Sequence, residues 1–342
     1  MQSRSVLRIL DANLDRAREG VRVVEEWFRL GQANGKFAHQ CKVLRQQLAD
    51  RHTPAMLAAR DTPGDPGTQL DHPGEAERRD PLDLLRVNFA RVQEALRVIE
   101  EYAKLIDPSL AGEAKQWRYQ VYILQSAALG EDRRAQLEQA RLYLVTAPHP
   151  RLLGIVEQAL GAGLRLVQLR EKDAEARTVL DLALRLRELC TRHGALFIVN
   201  DRVDLALASD ADGVHLGQTD LPIAHARTLL GPHLLIGQST HHPDEAAHAL
   251  AQGADYIGMG PVYATPTKQG RTPVGLDYVR HCREIPLPGY AIGGIDLENI
   301  TTVMGGGAER VAVVRALMAA RDPARATAEF LEYLHDHGQS QR

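Results

Sequence analysis

The sequence predicts an α/β protein: a (β/α)8 TIM barrel preceded by an all-α domain built from a duplicated helical hairpin. Three observations carry that expectation. Apolar residues recur at alternating steps of three and four through the first 130 positions, as one face of a helix requires. The pattern occurs twice, 75 residues apart. After residue 140 it gives way to eight short β-rich runs separated by helical stretches.

Taken in chain order, the first stripe is Leu7, Leu10, Leu14, Ala17, Val21, Val24 and Phe28. It returns as Leu82, Leu85, Phe89, Val92, Leu96, Ile99 and Ala103. Polar positions repeat as well: Asn13, Arg16, Glu19, Arg22, Glu25 and Glu26 match Asn88, Arg91, Glu94, Arg97, Glu100 and Glu101. Each copy is followed by a second helix, CKVLRQQL (41–48) resembling AKQWRYQV (114–121), which pairs Lys42 with Lys115 and Arg45 with Arg118. A small bundle is expected, its copies joined by the turn-rich loop RDTPGDPGTQLDHPGE (60–75). The repeated polar residues are open to two readings: exposed ion pairs such as Arg22 with Glu26, or paired functional faces. Arg60, Asp61, Thr62 and Asp65 are further candidates in the loop.

Residues 1–130 are thus expected as the bundle, 131–140 as a linker and 141–342 as the barrel. Its strands are LYLVT (142–146), LRLVQLR (164–170), LFIVN (196–200), DGVHL (212–216), LLIGQS (234–239), YIGMG (256–260), GYAIGG (289–294) and RVAVV (310–314). A doubly wound open sheet is the competing arrangement for such alternation.

Composition narrows the function. The 342 residues are 44% hydrophobic and 25% charged with a net charge of −3, which offers no field for nucleic acid or an anionic membrane. No apolar run reaches the roughly 18 residues of a membrane span, and the N-terminus has no signal-peptide core. Cys41, Cys190 and Cys282 are odd in number and far apart, against a disulfide framework. A cytoplasmic protein is expected, and a homo-oligomer stays open.

Barrel enzymes gather their functional groups at the C-terminal strand ends. There the sequence places Gln168, Arg170, Glu171 and Lys172 after strand two, Asn200 and Asp201 after strand three, Asp220 after strand four and Ser239 on strand five. Asp201 and Asp220 can share a hard cation such as Mg2+, which takes one or two carboxylates plus phosphate oxygens; alternatively each caps the following helix. Arg170, Lys172 and Lys268 at the same rim favour a Mg2+-bound diphosphate. Gly293-Gly294 and Gly305-Gly306-Gly307 fit backbone approach to a phosphate between strands seven and eight. Arg315 fits the same role through its fork, or a buried ion pair. Two anion sites imply two phosphorylated substrates or one long bisphosphate.

The motifs YLVT (143–146), QLREK (168–172), ND (200–201), DGVHLGQTD (212–220), IGQS (236–239), GPVYATPTK (260–268), AIGGI (291–295) and VAVV (311–314), in that order, resemble the thiamine phosphate synthase family over 140–335. The resemblance implies coupling of 4-amino-2-methyl-5-hydroxymethylpyrimidine diphosphate with a thiazole phosphate to give thiamine phosphate and diphosphate. It implies that Gln168, Leu169, Arg170, Glu171, Lys172, Asn200, Ser239 and Lys268 hold the pyrimidine diphosphate, with Arg170, Lys172, Ser239 and Lys268 catalytic. Asp201 and Asp220 would ligate Mg2+, and Thr265, Pro266, Thr267, Gly294, Val314 and Arg315 would hold the thiazole phosphate. The family reaction is dissociative and needs no side-chain nucleophile. Many members have Ser where this chain has Arg315. A thiazole tautomerase-like isomerase and a non-catalytic phosphate-binding barrel are the alternatives.

The stretches RILDANLDRAREGVRVVEE, ARDTPGDPG and NFARVQEALRVIEEY resemble, over about 6–128, the helical domain that precedes the synthase barrel in some bacteria. That domain is sometimes assigned as a hydroxymethylpyrimidine phosphate kinase, which implies ATP as a further ligand. No G-x-x-x-x-G-K-[ST] loop is present, and a packing module is the alternative.

Overall fold

The computed structural model describes residues 2–31, 33–65, 78, 81–265 and 272–339. The chain forms two compact units, Met1–Leu129 and Gly130–Arg342.

The first unit is helical: α1 (Gln2–Glu26, continued by a π turn at Trp27–Gly31), α2 (Gly35–Ala49), α3 (Pro54–Ala59), α4 (Pro81–Ala103) and the start of α5 (Pro108–Gln139). Caps set the boundaries. Asn34 accepts from the Phe37 N–H at 3.2 Å, and Thr53 accepts from Met56 N–H with Pro54 in the first turn. The repeated stripes on α1 and α4 are buried against each other, from Leu10 to Phe28 and from Leu85 to Ala103, while Leu7 is only partly covered. Where the two helices approach, a Cβ on Gly20 would stand 2.7 Å from Val92 Cγ2, so only glycine allows that spacing.

The repeated polar residues divide by position. Asn13 and Asn88 each donate to the carbonyl four residues back, Ile9 and Leu84, at 2.8 Å. Glu25 is buried and bonds Arg45 of the second helix at 2.9 Å; Glu100 bonds Arg118 in the same way, at 2.9 Å. Arg22 and Arg97 lie over these acids and also pair with Glu26 and Glu101. Arg16, Glu19, Arg91 and Glu94 are exposed. Of the six matched positions, Glu25 and Glu100 therefore clamp each hairpin across its two helices, while the Asn, Arg22/Arg97 and Glu26/Glu101 positions bond within their own helix.

The stretch expected as a linker, 131–140, is helical through Gln139 as the end of α5. Nothing in EDRRAQLEQ breaks a helix, and Arg133 and Leu137 are buried within the second unit.

That unit is a closed barrel of parallel strands in sequence order: β1 (Leu142–Val145), β2 (Leu166–Leu169), β3 (Leu196–Asn200), β4 (Gly213–Leu216), β5 (Leu235–Thr240), β6 (Tyr256–Met259), β7 (Gly289–Ile292) and β8 (Arg310–Val313). Register Leu144↔Val313 closes it. Helices α6 (Leu152–Gly161), α7 (Ala176–Arg192), α8 (Val203–Ala208), α9 (Ile223–Leu230), α10 (Pro243–Ala251), α11 (Gly275–His281), α12 (Ile300–Gly305), α13 (Arg315–Met318) and α14 (Pro323–Gln339) follow the strands. Alternation sorts each strand: Leu142 and Leu144 face the helix layer, Tyr143 and Val145 the interior.

Under the barrel, two buried carboxylates tie its base together. Asp212, just before β4, accepts from Arg133 at 3.0 Å, from Arg187 and from the Phe197 N–H at 2.9 Å. Asp255, before β6, accepts from Arg134 at 2.7 Å, Arg227 at 2.6 Å and the Ile236 N–H at 2.8 Å. Burial works to raise the Asp212 carboxyl; Arg187 and Arg133 outweigh it and hold the group below its ordinary range.

Candidate active site

The interior of the barrel is closed from below by three tyrosines. Tyr143, Tyr256 and Tyr290 meet edge to face with centroids 5.2–5.9 Å apart, and burial pushes all three hydroxyls above their usual range. A continuous hydrogen-bonded chain crosses this floor. Gln168 Nε2 donates to Tyr143 Oη at 2.6 Å, and Tyr143 and Tyr256 hydroxyls are 2.9 Å apart. His215 Nδ1 is 3.3 Å from Tyr256 Oη, and its Nε2 is 3.0 Å from Ser239 Oγ. Two expected site residues from β2 and β5 are thereby linked through β1, β6 and β4.

Above the floor opens a cavity of about 310 Å³. It is lined by Gln168, Arg170, Asn200 and Ser239 together with Thr265, Gly294, Val314 and Arg315. Some residues of each expected substrate group thus line one chamber. Leu169 does not face it: strand alternation turns its side chain into the strand–helix core. Glu171 is half-buried, and its carboxyl is pushed up first by burial and then by Asp173. Pro266, Thr267 and Lys268 lie outside the described residues.

Beside the cavity stand the acids. Asp201 follows β3 with φ of +61°, a left-handed conformation that costs a non-glycine residue energy and is stored where function needs it. Lys172 Nζ is 2.9 Å from Asp201 Oδ2. Asp220 Oδ2 accepts the Gly217 N–H at 2.6 Å and its carboxyl is hydrogen-bonded to that of Asp201. Burial and Asp201 push the Asp220 carboxyl up; at Asp201 burial is outweighed by Lys172 and by the bond from Asp220, so that group is held down. Neither acid caps a helix, since α8 and α9 begin after Arg202 and Pro222 without a side-chain cap. Two carboxyl groups in contact need a proton or cation between them. With one further cationic side chain and a phosphate-sized chamber alongside, the set fits a hard divalent ion such as Mg2+.

The glycines behave differently from one another. Gly293 and Gly294 have φ of +109° and +67°, and a Cβ on Gly293 would stand 2.6 Å from Pro261 Cα. Their absence of side chain lets the loop after β6 pack on the end of β7, at the cavity wall. Gly305, Gly306 and Gly307 do not approach this site. Gly306 and Gly307 N–H groups bond Thr302 and Met304 carbonyls, ending α12 at the opposite face of the barrel from the strand ends.

Tyr143, His215, Tyr256 and Tyr290 were not singled out in the sequence. The available signal was parity, because each sits on the inward-facing register of its strand, as Gln168 does.

A closed parallel barrel with paired acids, cations and a chamber of mixed apolar and polar lining at its C-terminal rim defines an enzyme for small phosphorylated ligands. Residues 142–317 match the family model for thiamine monophosphate synthase, and 8–127 match that of the ThiD2 family. A thiamine-phosphate synthase of Gloeobacter violaceus is 69% identical over 98% of each chain, and one of Synechocystis is 57% identical over 96% of each. Among solved structures, a thiamine phosphate pyrophosphorylase from Pyrococcus furiosus is 37% identical with a TM-score of 0.54, over 60% of this chain and 98% of that one. The chain belongs to the thiamine-phosphate synthase family and is a transferase. No helix among the described residues is long and apolar enough to cross a membrane.

Proposed function

We propose that the barrel couples 4-amino-2-methyl-5-hydroxymethylpyrimidine diphosphate to a thiazole phosphate, releasing diphosphate and forming thiamine phosphate. The observation that carries this reading is the Lys172–Asp201–Asp220 cluster beside a chamber lined by some residues of each substrate set. Gln168, Asn200 and Ser239 orient the pyrimidine, with Ser239 and Gln168 fixed by the floor chain. Arg170, Lys172 and Lys268 bind the diphosphate and neutralise charge on it as the carbon–oxygen bond breaks, an electrostatic stabilisation of the departing group. Asp201 and Asp220 would hold Mg2+, which would supply further neutralisation of that diphosphate. Thr265, Pro266, Thr267, Gly294, Val314 and Arg315 hold the thiazole phosphate so that its ring nitrogen captures the pyrimidinylmethyl cation. No side-chain nucleophile is needed.

For the N-terminal unit we propose a hydroxymethylpyrimidine phosphate kinase activity with ATP, which would make the diphosphate that the barrel consumes. The ThiD2 match supports it. The test uses full-length protein in which Asp201→Asn and Asp220→Asn block consumption. Given the pyrimidine monophosphate with Mg-ATP, this protein should accumulate pyrimidine diphosphate and ADP. The unaltered chain should proceed to thiamine phosphate once thiazole phosphate is added. If the variant accumulates none while the unaltered chain works only with supplied diphosphate, the bundle is a packing module.

A further inference from the structure

Among the described residues of the first unit, three side chains gather with the chemistry of a metal-ligand set: Asp11 and Asp15 on α1, and His52 in the turn before α3. Asp11 is buried, and the His52 side chain is only 10% exposed. Both His52 ring nitrogens are shut off from solvent and have no hydrogen-bond partner among the described residues. Nε2 points between the acids, 3.5 Å from Asp11 Oδ1 and 3.5 Å from Asp15 Oδ1. That separation exceeds the usual N–H···O length of about 2.7–3.2 Å. It is close to the edge of a tetrahedral coordination shell, where ligand atoms about 2.1 Å from the ion stand about 3.4 Å apart.

The surrounding arginines preserve this opening. Arg60 donates to Asp11 Oδ2 at 2.6 Å, Asp11 Oδ1 at 2.9 Å and Asp15 Oδ2 at 2.5 Å, and so holds both carboxylates in place, sharing Asp11 Oδ1 with the approach of His52 Nε2. Arg18 reaches Asp15 Oδ1 at 3.2 Å from a side chain 35% exposed, and is the contact an incoming cation displaces into solvent.

The duplication supplies an internal control. Seventy-five residues on, Asp11, Asp15 and Arg18 are replaced by Arg86, Ala90 and Gln93; with the offset of the second helix, 73, His52 is replaced by Gln125. There Gln93 Nε2 donates to Gln125 Oε1 at 2.7 Å. At the matching sequence positions the second copy carries this neutral amide pair and no acid or histidine, whereas the Glu–Arg clamps recur in both copies. The acid–acid–histidine set is therefore not a packing requirement of the hairpin.

We propose that Asp11, Asp15 and His52 form a divalent-cation site of the first unit, separate from the barrel acids. One imidazole with two carboxylates suits ions of the zinc and manganese class better than magnesium. Three protein ligands leave a position for water or a ligand oxygen, the pattern of catalytic rather than structural sites. The proposal stands whether or not the unit is a kinase.

The test uses metal-free full-length protein carrying Asp201→Asn and Asp220→Asn, titrated with Co2+ by calorimetry and visible absorption. It should bind one equivalent with the intense absorption of a low-coordinate, nitrogen-containing site. Adding His52→Gln should weaken binding at least tenfold and reduce that absorption; Asp15→Asn should do the same, with circular dichroism confirming that each variant is folded. Absence of Co2+ uptake by the barrel-acid variant overturns the proposal without recourse to the others. Uptake unaffected by both His52→Gln and Asp15→Asn overturns it equally.

Discussion

Lys172 holds Asp201 at 2.9 Å, so in the absence of substrate it competes with any divalent ion for that carboxylate. Replacing it by Met should therefore move metal affinity and turnover in opposite directions. Coulomb attraction at that distance is about 1.4 kcal/mol in water and about 6 kcal/mol at an effective dielectric of 20. With the Lys172 side chain 49% exposed, the water limit is the better guide, and the net competition is about 1 kcal/mol. In protein that also carries His52→Gln, to remove binding at the first unit, Lys172→Met should then bind Mn2+ about fivefold more tightly, as read by the loss of the free-ion electron paramagnetic resonance signal. Turnover should fall about a hundredfold or more, the usual effect of deleting one preorganised group that stabilises developing charge. Diphosphate release under saturating substrates gives the second number. Weaker Mn2+ binding with turnover unchanged would refute the reasoning, because Lys172 would then be a support for the acid and not a partner of the leaving group.

Two further predictions follow from the barrel. Asp212→Ala strands Arg133, whose side chain is 3% exposed, as a buried charge; loss of one partner of a buried pair costs about 3–5 kcal/mol, which lowers Tm by about 6–20 °C. Calorimetry of the full chain measures it, and a drop under about 3 °C would show that the base tolerates the loss. Because the Asp212 carboxyl is held below its unfolded value, its stabilisation is present above the unfolded carboxyl pKa and is lost as pH falls through the folded one. The variant and the unaltered protein should therefore converge in Tm at strongly acidic pH. Arg315→Ala should raise the KM for thiazole phosphate about tenfold or more with kcat less affected; an unchanged KM would remove Arg315 from the phosphate site.

The legible parts of the chain were those in which burial imposes a period. The stripe from Leu10 to Phe28 and its copy from Leu85 to Ala103 locate two helices because one face of each is buried. The strand runs and the polar residues that end them locate the barrel rim, so Gln168, Asn200, Ser239 and Arg315 could be named and share one cavity. Inward side chains were harder, since Tyr143, Tyr256 and Tyr290 occur within apolar runs whose parity decides their role. Gly305, Gly306 and Gly307 read as a phosphate loop on residue type alone, although a turn that precedes β8 falls at the N-terminal face of the barrel. The helical stretch 131–139 was missed because its charged residues resemble a solvated connector, while Arg133 and Arg134 in fact reach Asp212 and Asp255. Asp11 and His52 are 41 positions apart, so only folding reveals them as neighbours.

The tyrosine floor bears on a hazard intrinsic to the proposed chemistry. A benzylic-type cation alkylates whatever electron-rich group it reaches first, including the protein that made it. Tyr143 and Tyr290 line the chamber, but their hydroxyls remain protonated far above neutral pH, and a phenol is a much poorer nucleophile than a phenolate. Cys190 and Cys282 lie in the strand–helix layer outside the chamber, with their thiols pushed up by burial. A chamber so furnished favours capture of the cation by the thiazole and spares the enzyme from modifying itself over many turnovers.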